Sequence, residues 1–157
     1  MGDYVVVANS TPIILFHNIG YLHLLKTLYG KIYIPRAVYN EVAADFDFIS
    51  PQKWIKVIEI QNKDLKRLLQ INLHVGEVEA IILSTEMPAD LLILDDLLAR
   101  KHAKVIGINI TGTLGILLAL KHKGIIHAVK PLMEQLINVG MYIDKKLYED
   151  VLAMAKE

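Results

Sequence analysis

Leu91-Leu92-Ile93-Leu94-Asp95-Asp96 is a run of four apolar residues that stops on two acids. With no polar alternation, such a run reads as a strand buried on both faces. Tyr4 to Ala8 reads the same way and stops on Asn9-Ser10-Thr11-Pro12, where Asn9 or Ser10 offers a helix N-cap and Pro12 stands near the first helical position. Outward from these two strands, short extended segments are expected at Ile32–Ile34, Trp54–Ile60 and Ile108–Ile110. Helices are expected from Ser10 through Phe16 and at Leu22–Tyr29, Arg36–Ala44, Asn62–Gln70 and Gly76–Thr85. Four more are expected at Leu97–Ile106, Thr113–Lys123, Ala128–Asn138 and Lys145–Ala155, with Gly30, Gly107 and Gly124 as stops and Asp144 as a cap. Short apolar strands alternating with helices of this kind make an α/β domain with a mostly parallel sheet covered on both faces. No repeat, linker or low-complexity tract interrupts the pattern, so residues 1–157 read as a single domain.

Composition narrows the function classes. The AVILMFWYC set makes up 54% of the 157 residues. Exchanging the seven tyrosines for the nine glycines leaves that share almost unchanged, above the ~45–50% of ordinary globular chains. A full core is expected and intrinsic disorder is excluded. Seventeen Lys and Arg balance seventeen Asp and Glu, which excludes a strongly basic nucleic-acid binder and leaves only a local patch for a polyanion. The absence of cysteine excludes disulfides, Cys-ligated zinc and thiol nucleophiles, and fits a reducing compartment. No apolar run approaches the ~18–20 residues of a membrane span, and Met1-Gly2-Asp3 is no basic leader, so a cytoplasmic protein is expected.

The acids carry the chemistry. Ligands of open parallel sheets gather beyond the carboxyl ends of the strands, which is where Asn9-Ser10 and Asp95-Asp96 fall. Glu41 shares a helix face with Ala37 and Val38, an expensive place for a carboxylate without a donor or cation. Glu77 and Glu79 are two residues apart on a helix, about 200° around its axis, so they flank its apolar stripe on opposite edges and cannot both face one ion. Carboxylates converging at strand ends suit a hard cation, Mg²⁺ or Mn²⁺, which keeps several waters. Each acid also has an ordinary reading. Asp95 and Asp96 can cap the next helix, Glu77 and Glu79 can complement a helix N-terminus, and Glu41 can pair with a Lys or Arg.

Five segments in order carry a family resemblance: Asn9-Ser10-Thr11-Pro12-Ile13-Ile14, Ile34-Pro35-Arg36-Ala37-Val38-Tyr39-Asn40-Glu41-Val42, Gly76-Glu77-Val78-Glu79-Ala80-Ile81-Ile82-Leu83, Leu91 to Asp96, and Ile110-Thr111-Gly112-Thr113-Leu114-Gly115-Ile116-Leu117. From Val5 onward the chain resembles the PIN-domain proteins, in a prokaryotic subgroup with the Thr-Gly-Thr-Leu-Gly segment. The resemblance implies a three-layer α/β/α sandwich around a central, mostly parallel sheet. It also implies a metal-dependent endoribonuclease acting on single-stranded RNA, in many members the toxin of a toxin–antitoxin pair, with an antitoxin protein as partner. The family's acids fall on Glu41, on Glu79 with Glu77 a neighbour of similar standing, and on Asp96 with Asp95 beside it. Asn9 stands where the family usually has Asp, and its amide oxygen can ligate an ion but brings no charge and no base. Asn9, Glu41, Glu77, Glu79, Asp95 and Asp96 are thus the candidate Mg²⁺ or Mn²⁺ ligands, with Asn9, Glu41, Glu79 and Asp96 the catalytic set. Ser10, Thr11, Thr111 and Thr113 are the candidate substrate contacts. The amide at position 9 equally suits a weak or inactive PIN-like module that binds protein or RNA.

Other features are read as follows. Arg100, Lys101, His102 and Lys104 either meet RNA phosphates or form a solvated helix face. The six histidines have no metal-ligand spacing and are expected at the surface or in packing. Leu147, Tyr148, Val151, Leu152 and Met154 give the last helix a broad apolar face, for its own core or for a homodimer.

Overall fold

A computed structural model describes residues 4–157, so Met1-Gly2-Asp3 lies outside the described residues. In chain order the elements are β1 (Val6–Ala8), α1 (Ser10–Asn18), α2 (Leu22–Tyr29), β2 (Ile32–Pro35), α3 (Arg36–Asp45), β3 (Ile55–Ile58) and α4 (Lys63–Leu69). They continue as α5 (Val75–Glu86), β4 (Leu91–Ile93), α6 (Leu97–Ile106), β5 (Ile110–Thr111), α7 (Thr113–His122), α8 (Lys130–Asn138) and α9 (Lys145–Met154). The five strands form one sheet in the order β3-β2-β1-β4-β5, and every pairing is parallel. Helices cover both faces, in the three-layer α/β/α arrangement.

Strand alternation divides the core in two. Val6, Ala8, Ile32, Ile34 and Ile93 point to one face, under Phe16, Leu25, Ile116, Leu120 and Met133. Val7, Leu92 and Leu94 point to the other, under Val78, Ile81, Ile82, Ala99 and Ala103. β1 and β4 are apolar throughout because both of their faces are buried. On α9, Val151 is buried and Tyr148 and Leu152 pack against the first core, while Leu147 and Met154 stay exposed.

Two element boundaries move for identifiable reasons. β5 starts at Ile110 rather than Ile108, because Gly107 takes φ 91° and the Ile108 N–H turns back to the Ala103 carbonyl. α8 starts at Lys130 rather than Ala128, because the N–H groups of Val129 and Lys130 both donate to the Glu157 carboxylate, at 2.7 and 3.0 Å.

The order of the strands places the site. The chain builds outward from β1 to β2 and β3, then crosses back to lay β4 on the other side of β1. A crevice opens beyond the carboxyl ends of β1 and β4, where the connections diverge. Asn9 and Asp95-Asp96 lie at that crevice. Among the described residues no helix is long and apolar enough to cross a membrane.

Candidate metal and nuclease site

Asn9 leaves β1 with its N–H bonded to the Ile93 carbonyl of β4 at 3.0 Å, which sets it at the junction of the two strands. It occupies the N-cap position of α1, yet its side chain makes no capping bond. The residue is 5% exposed, and its Oδ1 is a buried acceptor without a hydrogen-bond donor among the described residues. A buried polar atom in that state costs about 1–3 kcal/mol unless something else meets it. The next residue, Ser10, donates its hydroxyl to Glu41 Oε2 at 2.7 Å and so ties α1 to α3. Glu41 therefore meets a neutral hydroxyl, and no Lys or Arg ion pair is found for it among the described residues.

Glu77, in the first turn of α5, is 7% exposed and accepts the His74 N–H at 3.1 Å. Burial pushes its carboxyl above the usual range, and the charges of Asp96 and Glu41 push the same way, against the His74 N–H and side chain. Those two charges mark Glu41 and Asp96 as the acidic neighbours of Glu77. Asp96 is exposed, caps α6 through the Ala99 N–H at 2.9 Å, and keeps Oδ1 clear of that bond. Gly76 makes the approach of Glu41 to α5 feasible, since a Cβ there would fall 2.1 Å from Glu41 Oε1.

Glu79 is held by a different set of partners. Its Oε1 accepts the Ala37 N–H at the start of α3 at 3.0 Å, and its Oε2 meets Lys66 Nζ at 2.7 Å. Both oxygens are thus taken up by a helix N-terminus and an ammonium. The 200° between Glu77 and Glu79 sends one carboxylate toward the crevice and the other toward α3 and α4. Of the two, Glu77 is the one that feels the charges of both Asp96 and Glu41, while Glu79 shares a cavity wall with Glu41.

Asp95 joins the end of β4 to α7. It accepts the Thr113 N–H at 2.7 Å through Oδ1 and the Thr113 hydroxyl at 2.6 Å through Oδ2. Thr113 is fully buried and its hydroxyl is spent on that bond, as the Ser10 hydroxyl is on Glu41. Thr111 is half-buried against Gly115, where a Cβ would fall 2.2 Å from its Oγ1, and Thr11 is exposed on the first turn of α1.

Two features were hidden in the sequence. Arg100, grouped there with Lys101, His102 and Lys104, is half-buried and donates from a guanidinium nitrogen to the Leu94 carbonyl at 3.0 Å, while Lys101 and Lys104 are exposed. It lies beside Asp95 at Gly112, where a Cβ would crowd both, at 2.6 Å from Asp95 Oδ1 and 2.8 Å from the guanidinium nitrogen. Lys66, the partner of Glu79, belongs to no motif. Its only sequence signal is its place on a short polar helix.

A family model described as a PIN domain matches residues 5–157. The chain belongs to the PIN-domain family. A comparison with curated proteins finds no match. PIN domains have a nuclease-type fold and generally depend on a divalent metal. In this PIN domain no three His, Asp or Glu side chains among the described residues are gathered closely enough to grip an ion directly. The donor set still fits a hydrated divalent cation. Among the described residues the Asn9 oxygen lacks a donor, the charges of Asp96 and Glu41 act on Glu77, and none of these three acids has a Lys or Arg ion pair.

Proposed function

We propose that this PIN domain is a divalent-metal-dependent endoribonuclease acting on single-stranded RNA, slow because Asn9 supplies an amide where a carboxylate would serve better. The observation that carries the reading is the buried Asn9 oxygen at the β1–β4 crevice, which has no hydrogen-bond partner among the described residues. Asn9, Glu41, Glu77 and Asp96 would hold one Mg²⁺ or Mn²⁺, largely through its waters. The cation supplies charge neutralisation at a phosphodiester and a more acidic water. The protein's part is placement. Ser10 holds the Glu41 carboxylate, the Ala99 N–H holds Asp96, and the Leu94 carbonyl holds the Arg100 guanidinium at the crevice mouth, where its remaining donors suit a phosphate oxygen. A cavity of about 500 Å³ runs from Glu41 past Arg36, Lys63 and Lys66, with Glu59 and Glu79 also in its wall, where Arg36 pairs with Glu59 and Lys66 with Glu79. A toxin role, with an antitoxin protein and a homodimer as its setting, belongs to the same proposal.

The test is cleavage of unstructured RNA with Mn²⁺ by the natural chain, Asn9→Asp and Glu77→Gln. Slow cleavage is expected from the natural chain, a gain of about tenfold or more from Asn9→Asp, and a loss of about a hundredfold from Glu77→Gln. If neither the natural chain nor Asn9→Asp cleaves or binds metal, the assignment of these acids fails.

One observation favours a second reading. Asp95 is wholly engaged by Thr113, and one oxygen of Asp96 by the α6 N-terminus, as in a scaffold. A non-catalytic module would show no divalent binding by calorimetry, and Asn9→Asp would restore it.

A further inference from the structure

A second cavity lies away from the acids. α1 starts at the carboxyl edge of the sheet and runs back, so its end, at His17 to Gly20, lies at the amino edge. Trp54 stands there too, immediately before β3, its carbonyl accepting the Ile32 N–H at the start of β2 at 3.0 Å. Between them is a hollow of about 690 Å³.

Beside Leu22, Pro51 and Gln52, two kinds of side chain distinguish its wall. The first is flat and aromatic. The His17 ring stacks on Phe48, with centroids 3.7 Å apart and planes 12° apart, and Trp54 is held by its indole N–H, which donates to Gln52 Oε1 at 3.0 Å. Phe46 braces the stack edge-on from behind, 5.6 Å from His17 and 5.5 Å from Phe48. The second is basic. Lys26 comes from α2, Lys53 from the loop before β3, and His23 from the first turn of α2. No acid among the described residues lines the hollow, although the chain as a whole has as many acids as bases. Asp45 and Asp47 of the neighbouring loop are exposed and are not part of the wall. Neither lysine has an ion-pair partner among the described residues.

Braced rings and ammonium groups without an ion pair among the described residues, lining one hollow, match a ligand that is itself half flat ring and half anion. We propose that this amino-edge hollow binds a nucleotide unit, with the base against Phe48 and Trp54 and the phosphate at Lys26 and Lys53. The unit is either a free nucleotide or one residue of an RNA strand. The site is separate from the acid crevice and stands whether or not that crevice cleaves RNA.

Trp54 is the sole tryptophan, so its emission reports on this wall alone. The full chain is titrated with adenosine 5′-monophosphate, adenosine, inorganic phosphate and a short oligoadenylate, following that emission. A saturable change with the monophosphate is expected, with binding about tenfold weaker for adenosine and for phosphate alone. The double variant Lys26→Ala, Lys53→Ala should weaken monophosphate binding about tenfold with an unchanged melting temperature, since both lysines are exposed. Oligoadenylate binding tighter than the monophosphate identifies the RNA strand as the source, and equal or weaker binding identifies the free nucleotide. No saturable response to the monophosphate, or an unchanged one in the double variant, overturns the proposal. Glu77→Gln should leave the titration unaltered, so that a dead nuclease and a missing nucleotide site give different results.

Discussion

Glu79 and Glu157 are at opposite ends of the fold's construction, yet they are held alike. Each accepts an N–H from the start of a helix other than its own, α3 for Glu79 and α8 for Glu157, and each meets a lysine, Lys66 at 2.7 Å and Lys121 at 2.9 Å. Glu77, two residues from Glu79 and about as buried, has an N–H from its own helix's cap and no lysine or arginine ion pair among the described residues. The consequence is visible in proton affinity. Desolvation is the largest single effect at Glu157 and acts upward, but the N–H bonds of Val129 and Lys130 and the contact with Lys121 together outweigh it and hold its carboxyl below the usual range. At Glu77 desolvation prevails, with Asp96 and Glu41 adding to it. A carboxylate that caps and pairs serves the fold.

Removing the charge from each side tests that contrast. The largest effect on stability is expected from Glu79→Gln, which leaves Lys66 facing a neutral amide in a site where the glutamate side chain is 6% exposed. About 2–3 kcal/mol should be lost at neutral pH, read as a fall in urea midpoint with no change in slope. An unchanged midpoint would mean the pair is dispensable.

Glu157→Gln should cost less, about 1 kcal/mol, because the backbone donors can still reach an amide oxygen. Its folded carboxyl has a lowered proton affinity. The stability it contributes is therefore present above its unfolded pKa and lost as pH falls through the lower folded value. Variant and natural chain should differ in denaturation at pH 7 and converge in acid.

Gly76→Ala should separate the site from the fold. The added methyl displaces the flexible end of Glu41 from Ser10, while alanine raises helix propensity by up to ~1 kcal/mol, so stability should stay within about 0.5 kcal/mol. Divalent binding measured by calorimetry should weaken at least about tenfold. Unchanged metal binding would remove Glu41 from the site.

Glu77→Gln should have the smallest effect on stability and the opposite sign. A raised folded pKa means that the favourable contribution is complete below the unfolded value and disappears as pH rises through the folded one. At pH 7 the ionised group burdens the metal-free fold, so the amide variant should be equally or slightly more stable there, with the gap closing in acid. A clear loss of stability at pH 7 would make Glu77 a structural residue like Glu79.

Much of the molecule was legible along the chain. The apolar runs at Val6–Ala8 and Leu91–Ile93 announced central strands because only a strand covered on both faces is apolar at every position. Their polar ends announced the crevice. The glycine stops at Gly30 and Gly107 were readable because their positive φ suits a residue without Cβ. Less legible was the choice between Glu77 and Glu79. Helix geometry showed that they diverge but not which one faces the crevice, because that depends on where Lys66 and the start of α3 come to lie. The role of Asp95 was equally hidden, since its partner Thr113 is 18 residues away and meets it only across the β4–β5 edge.

The sequence by itself determined the parallel α/β sandwich and the edge of the sheet where Asn9 and the Asp95-Asp96 pair fall, because hydrophobic periodicity and strand-end polarity are local properties of the chain. Only the tertiary structure decided which acids are spent on N–H groups and lysines, that Asn9 keeps a buried oxygen without a donor, and that aromatic and basic side chains meet in a second hollow at the far edge. Those outcomes depend on contacts between residues distant along the chain, and the energy of a charge or a polar atom is set by what surrounds it rather than by what precedes it.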